Sequence, residues 1–477
     1  GKLINKALPF FLGRFIENIQ PISFSDSNGI NQLIQHNLLF KPDSLFSLGF
    51  PFLIESSTIQ TFEFSSNSSD TLNLLFSSVE ISLKPTTPST IPQKSNLIFN
   101  DLQIKNLLKS FKLSVIFEKV VIYLPSTAKI QIDSILFDSN PSINDDSSIS
   151  LPLKFQFNNF NLHFDSKIIL KSNFELNLSL SRKQSISIFI QAQEIQFMIT
   201  NNIFHLFYFL KDIADSMKSN PNIQDLDNSI NYNIEGNSIQ IQFEDYPNNE
   251  FRFQQFRFEN KVFHADQFQI HTKGISSSMN SILTLVDFTF NFLNYNIEIK
   301  SIQNDQTIRF KQINKNDLFL QTVVKESNFS YLASGIEYEG DFGDLLTWTA
   351  SQIRIIEFIF SEFRTHINVF QNEEKKSSFT KSLTVHFPFI SLKLNSGFTF
   401  QFDFHIIFSL IKTQYFQLLF SDISLSYQMN EPIFQKTVCQ LLIKEDSIEV
   451  FLSPSDTKCT ANELALIFHH FPHPIHN

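Results

Sequence analysis

The chain is 477 residues long with a formal net charge of −10, and its composition is skewed, with 57 Phe against 10 Gly and a single Trp. Average usage puts Gly near ~7%. Phosphate-binding loops need backbone positions without a Cβ, so this depletion argues against a nucleotide-dependent enzyme, and the acidic balance leaves no broad basic face for nucleic acid.

Two cysteines, Cys439 and Cys459, form no CxxC pair and fit a reducing, cytosolic setting better than a disulfide framework. No apolar run approaches the ~18–20 residues that span a bilayer. The densest, IFHLFYFL at 203–210, is less than half that length. The expectation is a cytoplasmic protein, free or peripheral on a membrane surface.

In chain order, Leu3, Ile4, Ala7, Leu8, Phe11, Leu12, Phe15, Ile16 and Ile19 recur at helical spacing and make one amphipathic stripe. It is broken by Asn5, Lys6, Arg14, Glu17 and Asn18, so this stretch is not expected to act as a secretory signal. Further helices are predicted over 97–111, 202–218, 351–370 and 461–471. Loops are predicted at 137–150, 219–231, 272–281 and 371–381. Most of the remainder reads as strand. Alternation is clean in FQF (155–157), FELNLSL (174–180), SISIFIQ (185–191), IQIQF (239–243), FTFNF (288–292) and FTFQFDFHI (398–406). Period-two alternation puts the apolar side chains on one face and Ser, Asn, Gln and Thr on the other. FRFQQFRF (251–258) changes phase at Gln254-Gln255, as a β-bulge requires. The fold class is mostly β, with few helices.

Three segments carry a resemblance. Phe11-Leu12-Gly13-Arg14-Phe15 resembles the helix signature of the chorein N-terminal module. Leu48-Gly49-Phe50-Pro51-Phe52 stands at that module's apolar-Pro step, and Val79 to Pro85 resembles its closing strand. Beyond it, 102–111 and the following strand pair resemble the autophagy type of bridge-like lipid-transfer protein, and 175–213 resembles a unit shared with the vacuolar-sorting type. The tryptophan-glycine motif of the latter is missing; only Asn28-Gly29 stands there. The resemblance implies a module at 1–85, continued at 86–477 as one elongated, curled antiparallel β-sheet forming an open hydrophobic groove, with no separate domain. It implies glycerophospholipid cargo, no other cofactor and no catalytic residue. It implies peripheral attachment at membrane contact sites, with the N-terminal end at the endoplasmic reticulum and adaptor or scramblase proteins as possible partners. Leu8, Phe11, Leu12 and Phe15 would touch that membrane, unless the stripe simply caps the sheet. The alternative within the same fold is a tether or scaffold that moves no lipid. Relatives are several times longer, so the chain reads as a short member or the N-terminal part of one.

A strictly apolar sheet face must be covered, because each Phe carries on the order of 150–250 Å² that leaves water favourably. The predicted helices are too few to back so many strands. Two sheets covering each other, or one sheet holding lipid, both satisfy the pattern; the resemblance favours lipid. The groove residues are then Phe155, Phe157, Phe174, Leu176, Leu178, Leu180, Ile186, Ile188, Ile190, Ile239, Ile241 and Phe243, followed by Phe251, Phe253, Phe288, Phe290, Phe292, Phe398, Phe400, Phe402 and Phe404. Other signals are discounted. Asp341-Phe342-Gly343 has no glycine-rich loop upstream to make it a kinase triplet. His469, His470, His473 and His476 lie in a Pro-broken tail without Cys or carboxylate partners, so no metal site is expected. His163 and His405 simply take their turn in strand alternation.

Overall fold

The computed structural model describes residues 12–19, 31–47, 52–66, 71–85, 112–139, 142–143, 149–180, 186–200, 230–273, 280–350, 382–409, 415–428, 433–443, 448–453 and 456–457, apart from isolated positions within these spans. They form 26 strands and little helix. The chain divides into two compact units, Gly1–Asp245 and Tyr246–Asn477.

In the first unit the strands pair in chain order. β1 (Ile16–Glu17), β2 (Asn31–Phe40), β3 (Phe52–Ser66) and β4 (Thr71–Pro85) form an antiparallel meander. β5 (Lys112–Tyr123) joins β4 in parallel. Antiparallel pairing resumes through β6 (Ala128–Ser139), β8 (Ile149–Phe164), β9 (Lys167–Leu180) and β10 (Ile186–Ile199). A two-residue strand, β7 (Ser142–Ile143), pairs with the start of β8. β11 (Ile230–Phe243) then lies parallel to β10. The sheet is therefore mixed, where the sequence reading expected antiparallel pairing throughout. Both parallel joins follow long connections, 86–111 and 200–229, because a parallel neighbour is reached only by a crossover of a dozen residues or more. The pairing carries on across residue 85, from β4 into β5.

The second unit opens with an antiparallel set, β12 (Tyr246–Glu259), β13 (Val262–Lys273) and β14 (Asn280–Asn291). Against β14 lie two short strands in line, β15 (Asn296–Ile299) and β16 (Ser301–Gln306), interrupted at Lys300. β17 (Arg309–Gln312) and β18 (Leu320–Lys325) pair with β20 (Ile336–Gly340) and β19 (Asn328–Ala333) respectively. Both β19 and β20 then lie parallel to one long strand, β21 (Ser382–Leu394). An antiparallel run through β22 (Phe398–Ser409), β23 (Tyr415–Tyr427), β24 (Phe434–Ile443) and β25 (Ile448–Leu452) completes the unit, with β26 (Asp456–Thr457) beside the start of β24. The tight turn from β21 to β22 places Gly397 at φ +90°, a conformation open to glycine and strained for other residues.

Among the described residues, helix is confined to a turn at Ser44–Ser47, to residues 12, 13 and 15, and to 342–350. The predicted N-terminal helix thus ends at Phe15, not at Ile19. Ile16 and Glu17 turn to pair with Phe40 and Leu39, while the Phe15 carbonyl accepts hydrogen bonds from the Lys41 N–H at 2.7 Å and the Ser44 hydroxyl at 3.0 Å. Captured by these donors, it is lost to helix propagation. The helices predicted at 97–111, 202–218, 351–370 and 461–471, and the loop at 371–381, lie outside the described residues.

Candidate functional site

The candidate site is the apolar face of each sheet, built from register. In the first unit one cross-strand row runs Leu33, Phe64, Leu74, Val115, Phe137, Phe155, Leu176, Ile190 and Ile234. Nine strands contribute and every member is apolar. The next row runs Phe62, Phe76, Phe117, Ile135, Phe157, Phe174, Ala192 and Gly236. Its rings touch in sequence: Phe62 to Phe76 at 4.9 Å, Phe76 to Phe117 at 4.7 Å, Phe157 to Phe174 at 4.4 Å between centroids. Such neighbouring rings contribute about 0.5–1.5 kcal/mol per pair beyond area burial. Of the residues predicted from sequence, Leu178 and Leu180 on β9 and Ile186 and Ile188 on β10 extend this pattern by register, Leu178 facing Ile188 and Leu180 facing Ile186. Ile239, Ile241 and Phe243 face Ile195, Phe197 and Ile199.

In the second unit Phe253, Phe268, Leu285 and Ile302 form one row, and Phe258, Phe263, Phe290 and Ile297 another. Phe253 stacks on Phe268 at 4.5 Å and meets Phe288 at 5.4 Å; Phe251 meets Phe268 edge-on at 5.9 Å. A further row runs Phe387, Phe404, Phe420, Cys439 and Leu452, and beside it Leu392, Phe400 and Leu425 align. Phe402 pairs with Ile390 and lies 5.5 Å from Phe420.

Burial separates these residues into three kinds. Near the start of the first sheet the rows are sealed: Phe64 is 1% exposed and Leu74 is 2% exposed, in a core shared with Leu12 and Ile16 and flanked by Phe15 and Ile19. From Phe137 onward the same row is only half-buried through Phe155, Leu176, Ile190 and Ile234. Phe251, Phe253, Phe288, Phe290, Phe400, Phe402 and Phe404 are likewise half-buried. A few predicted residues depart from this. Phe243 and Phe398 are buried, Phe398 in a core with Tyr338, Leu394, Leu425 and Ile433. Phe292 is past the end of β14, in a turn, and 47% exposed. Leu12 is 3% exposed and packs inward, because the helix end it sits on is clamped over β2 through Phe15. Leu8 and Phe11 lie outside the described residues.

The opposite face is polar and cross-linked. Lys154 meets Glu175 at 2.8 Å, and the side-chain amides of Gln156 and Asn177 donate to the same carboxylate at 3.2 and 3.0 Å. The Lys154 hydrogen bond, with those amides, holds Glu175 below the usual carboxylate range against a smaller opposing effect of burial. Lys300 meets Asp287 at 2.7 Å, and Lys393 pairs with Glu337. On β21 and β22 the imidazoles of His386 and His405 stack at 3.8 Å with planes 10° apart. No group of three or more His, Cys, Asp or Glu among the described residues is placed to hold a metal ion.

The sequence reading missed Phe117, Phe137, Phe387 and Phe420, which lie in the same rows. Their strands carry phase changes that blur a simple alternation count, and only the register restores them to one face. A half-buried Phe leaves on the order of 50 Å² in water, or ~1 kcal/mol at ~25 cal/mol per Å². Summed over a dozen or more such side chains the open rows amount to ~10 kcal/mol or more, comparable to a domain's whole stability. A flexible apolar chain laid across them would recover much of that. No helix among the described residues is long and apolar enough to cross a membrane. Comparison with known protein families and with curated protein sequences finds no match to this chain.

Proposed function

We propose that the chain is a lipid-transfer protein of the chorein, bridge-like kind, which carries glycerophospholipid acyl chains on its half-covered sheet faces and passes them between membranes at contact sites. The observation that carries this reading is the row Phe137, Phe155, Leu176, Ile190, Ile234: five strands, all apolar, none sealed. A dry sandwich needs such a row closed by protein, as Phe64 and Leu74 are. The N-terminal Phe11-Leu12-Gly13-Arg14-Phe15 and Val79 to Pro85 segments support the same family. Transport of this kind needs no catalytic group. Tails slide along the apolar floor while headgroups stay in water, and direction comes from partners or from lipid supply at a membrane such as the endoplasmic reticulum. Adaptors or scramblases at either end are part of the same proposal, as is a cytoplasmic, peripheral location.

A tether of the same fold is the second reading, favoured by the sealed rows at β3 to β5, which already behave as a protein core. Charges placed in the open rows separate the two. Ile190→Asp with Phe404→Asp should lower lipid transfer between donor and acceptor vesicles by about tenfold or more, since a charge in an apolar site costs several kcal/mol, while vesicle binding persists. Transfer unchanged by both charges, with the fold intact, would refute the floor as the lipid path.

A further inference from the structure

Among the described residues fourteen non-glycine positions have positive φ, and seven of them sit inside strands: Asn37, Ser78, Lys119, Asn159, Gln255, Asp287 and Asp422, all between 49° and 55°. Each marks a place where the apolar phase of its strand slips by one residue. On β4 the inward residues are Leu72, Leu74 and Phe76, then Val79; on β5 Leu113 and Val115, then Val120. On β8 they are Phe155 and Phe157, then Phe160. The slips are aligned. Thr61, Ser77, Glu118, Ser134 and Asn158 face one another across five strands, and Ser78, Lys119, Asp133 and Asn159 stand next to them along their own strands. These residues are polar and tied together: Ser77 donates to Glu118 at 3.3 Å, Asn158 to the Ser134 hydroxyl at 2.8 Å, and Asn159 to Asp133 at 2.7 Å. The second unit repeats the device at Gln254-Gln255, Asp266-Gln267 and Asp287, with Lys300 bonded to Asp287.

At every slip both residues of the pair stay off the apolar face, so the polar side of the strand is one residue longer than the apolar side. A strand built this way bends, concave toward its apolar side. We propose that each line of slips is a crease that curls its sheet across its width, and that the crease sets how wide the apolar trough is and how many acyl chains lie abreast in it. The curvature stands on the register alone; the chain count rests on the lipid-transfer reading.

The test deletes Gln255, Asp266, Asp287 and Lys300 together in the full chain. This restores unbroken alternation in four neighbouring strand rows and preserves their mutual register. Nitroxide labels at Phe263 and Ile270, on the apolar side of β13 to either side of the crease, report its bend by electron–electron distance in a background without Cys439 and Cys459. The crease predicts that the labels move apart although the strand has lost a residue, and that phospholipids retained per chain in native mass spectrometry change in number. Labels that approach by about one residue's rise, ~3.3 Å, would overturn the crease. Labels that separate in a protein with no lipid, before or after deletion, uphold the crease and refute the lipid reading. Should the deletion variant not fold, Gln255→Gly and Asp287→Gly keep the left-handed backbone and are expected to raise the melting temperature. A fall equal to that caused by Arg257→Gly or Thr289→Gly at ordinary strand positions would overturn the crease equally.

Discussion

Asp403 shows how a single side chain reports on the polar face. Burial first, and then the nearby Asp422, push its carboxyl above the ordinary range, with His386 and His405 opposing. A carboxylate with a raised value in the fold loses stability as pH rises from the ordinary carboxylate range through that value, and costs nothing where it is protonated in both states. His405 is held below its ordinary value by burial and then by His386, so its neutral form is favoured; its contribution is complete above about pH 6.5 and is lost as pH falls through the folded value. Asp403→Asn should therefore raise the melting temperature at about pH 7 and leave it unchanged at about pH 3. Equal shifts at both would show that packing, not charge, governs the site. At this scale the sequence was legible where one residue type repeats. FRFQQFRF exposes its own slip because Phe marks each inward position, and Gln255 does take a left-handed φ of 49°. The same slip at Ser77-Ser78 or Glu118-Lys119 is hidden, since Ser, Glu and Lys are unremarkable on an outer face. Leu12, read as membrane contact or as part of a cap on the sheet, packs inward; an amphipathic stripe fixes which side is apolar, not whether protein or membrane covers it.

Strands of similar pattern differ in how they are covered, and this makes an energetic prediction. Leu74 and Ile190 share a row, but Leu74 is sealed and Ile190 is half-buried. Leu74→Ala should cost about 3–4 kcal/mol, as for a truncation that leaves a closed cavity, and Ile190→Ala about 1–2 kcal/mol, measured by urea unfolding. Matching costs would mean that the row is covered equally along its length. Element type was readable from alternation nearly everywhere it was clean. Pairing direction was not. The parallel joins β4–β5, β10–β11 and β19–β21 depend on how the intervening chain crosses the sheet, and alternation is the same for either direction. The end of the N-terminal helix was equally invisible, because it is set by Lys41 and Ser44, distant in sequence, bonding to the Phe15 carbonyl.

For the whole molecule, a mostly β chain with an alternating, Phe-rich pattern led to broad sheets with one apolar face, and that much follows from composition and period. What period alone left open was the choice between two faces closing on each other and a face left for ligand. The proposed reading rests on exposure along a single row, which is sealed at Phe64 and Leu74 and half-buried from Phe137 to Ile234. The measurement that bears most directly on this is native mass spectrometry of the intact chain purified from a eukaryotic host in mild detergent-free buffer. The account predicts adducts of phospholipid mass, several per chain, that disappear from the Ile190→Asp, Phe404→Asp variant. A folded wild-type chain that flies at its bare polypeptide mass, with no lipid to remove, would contradict it.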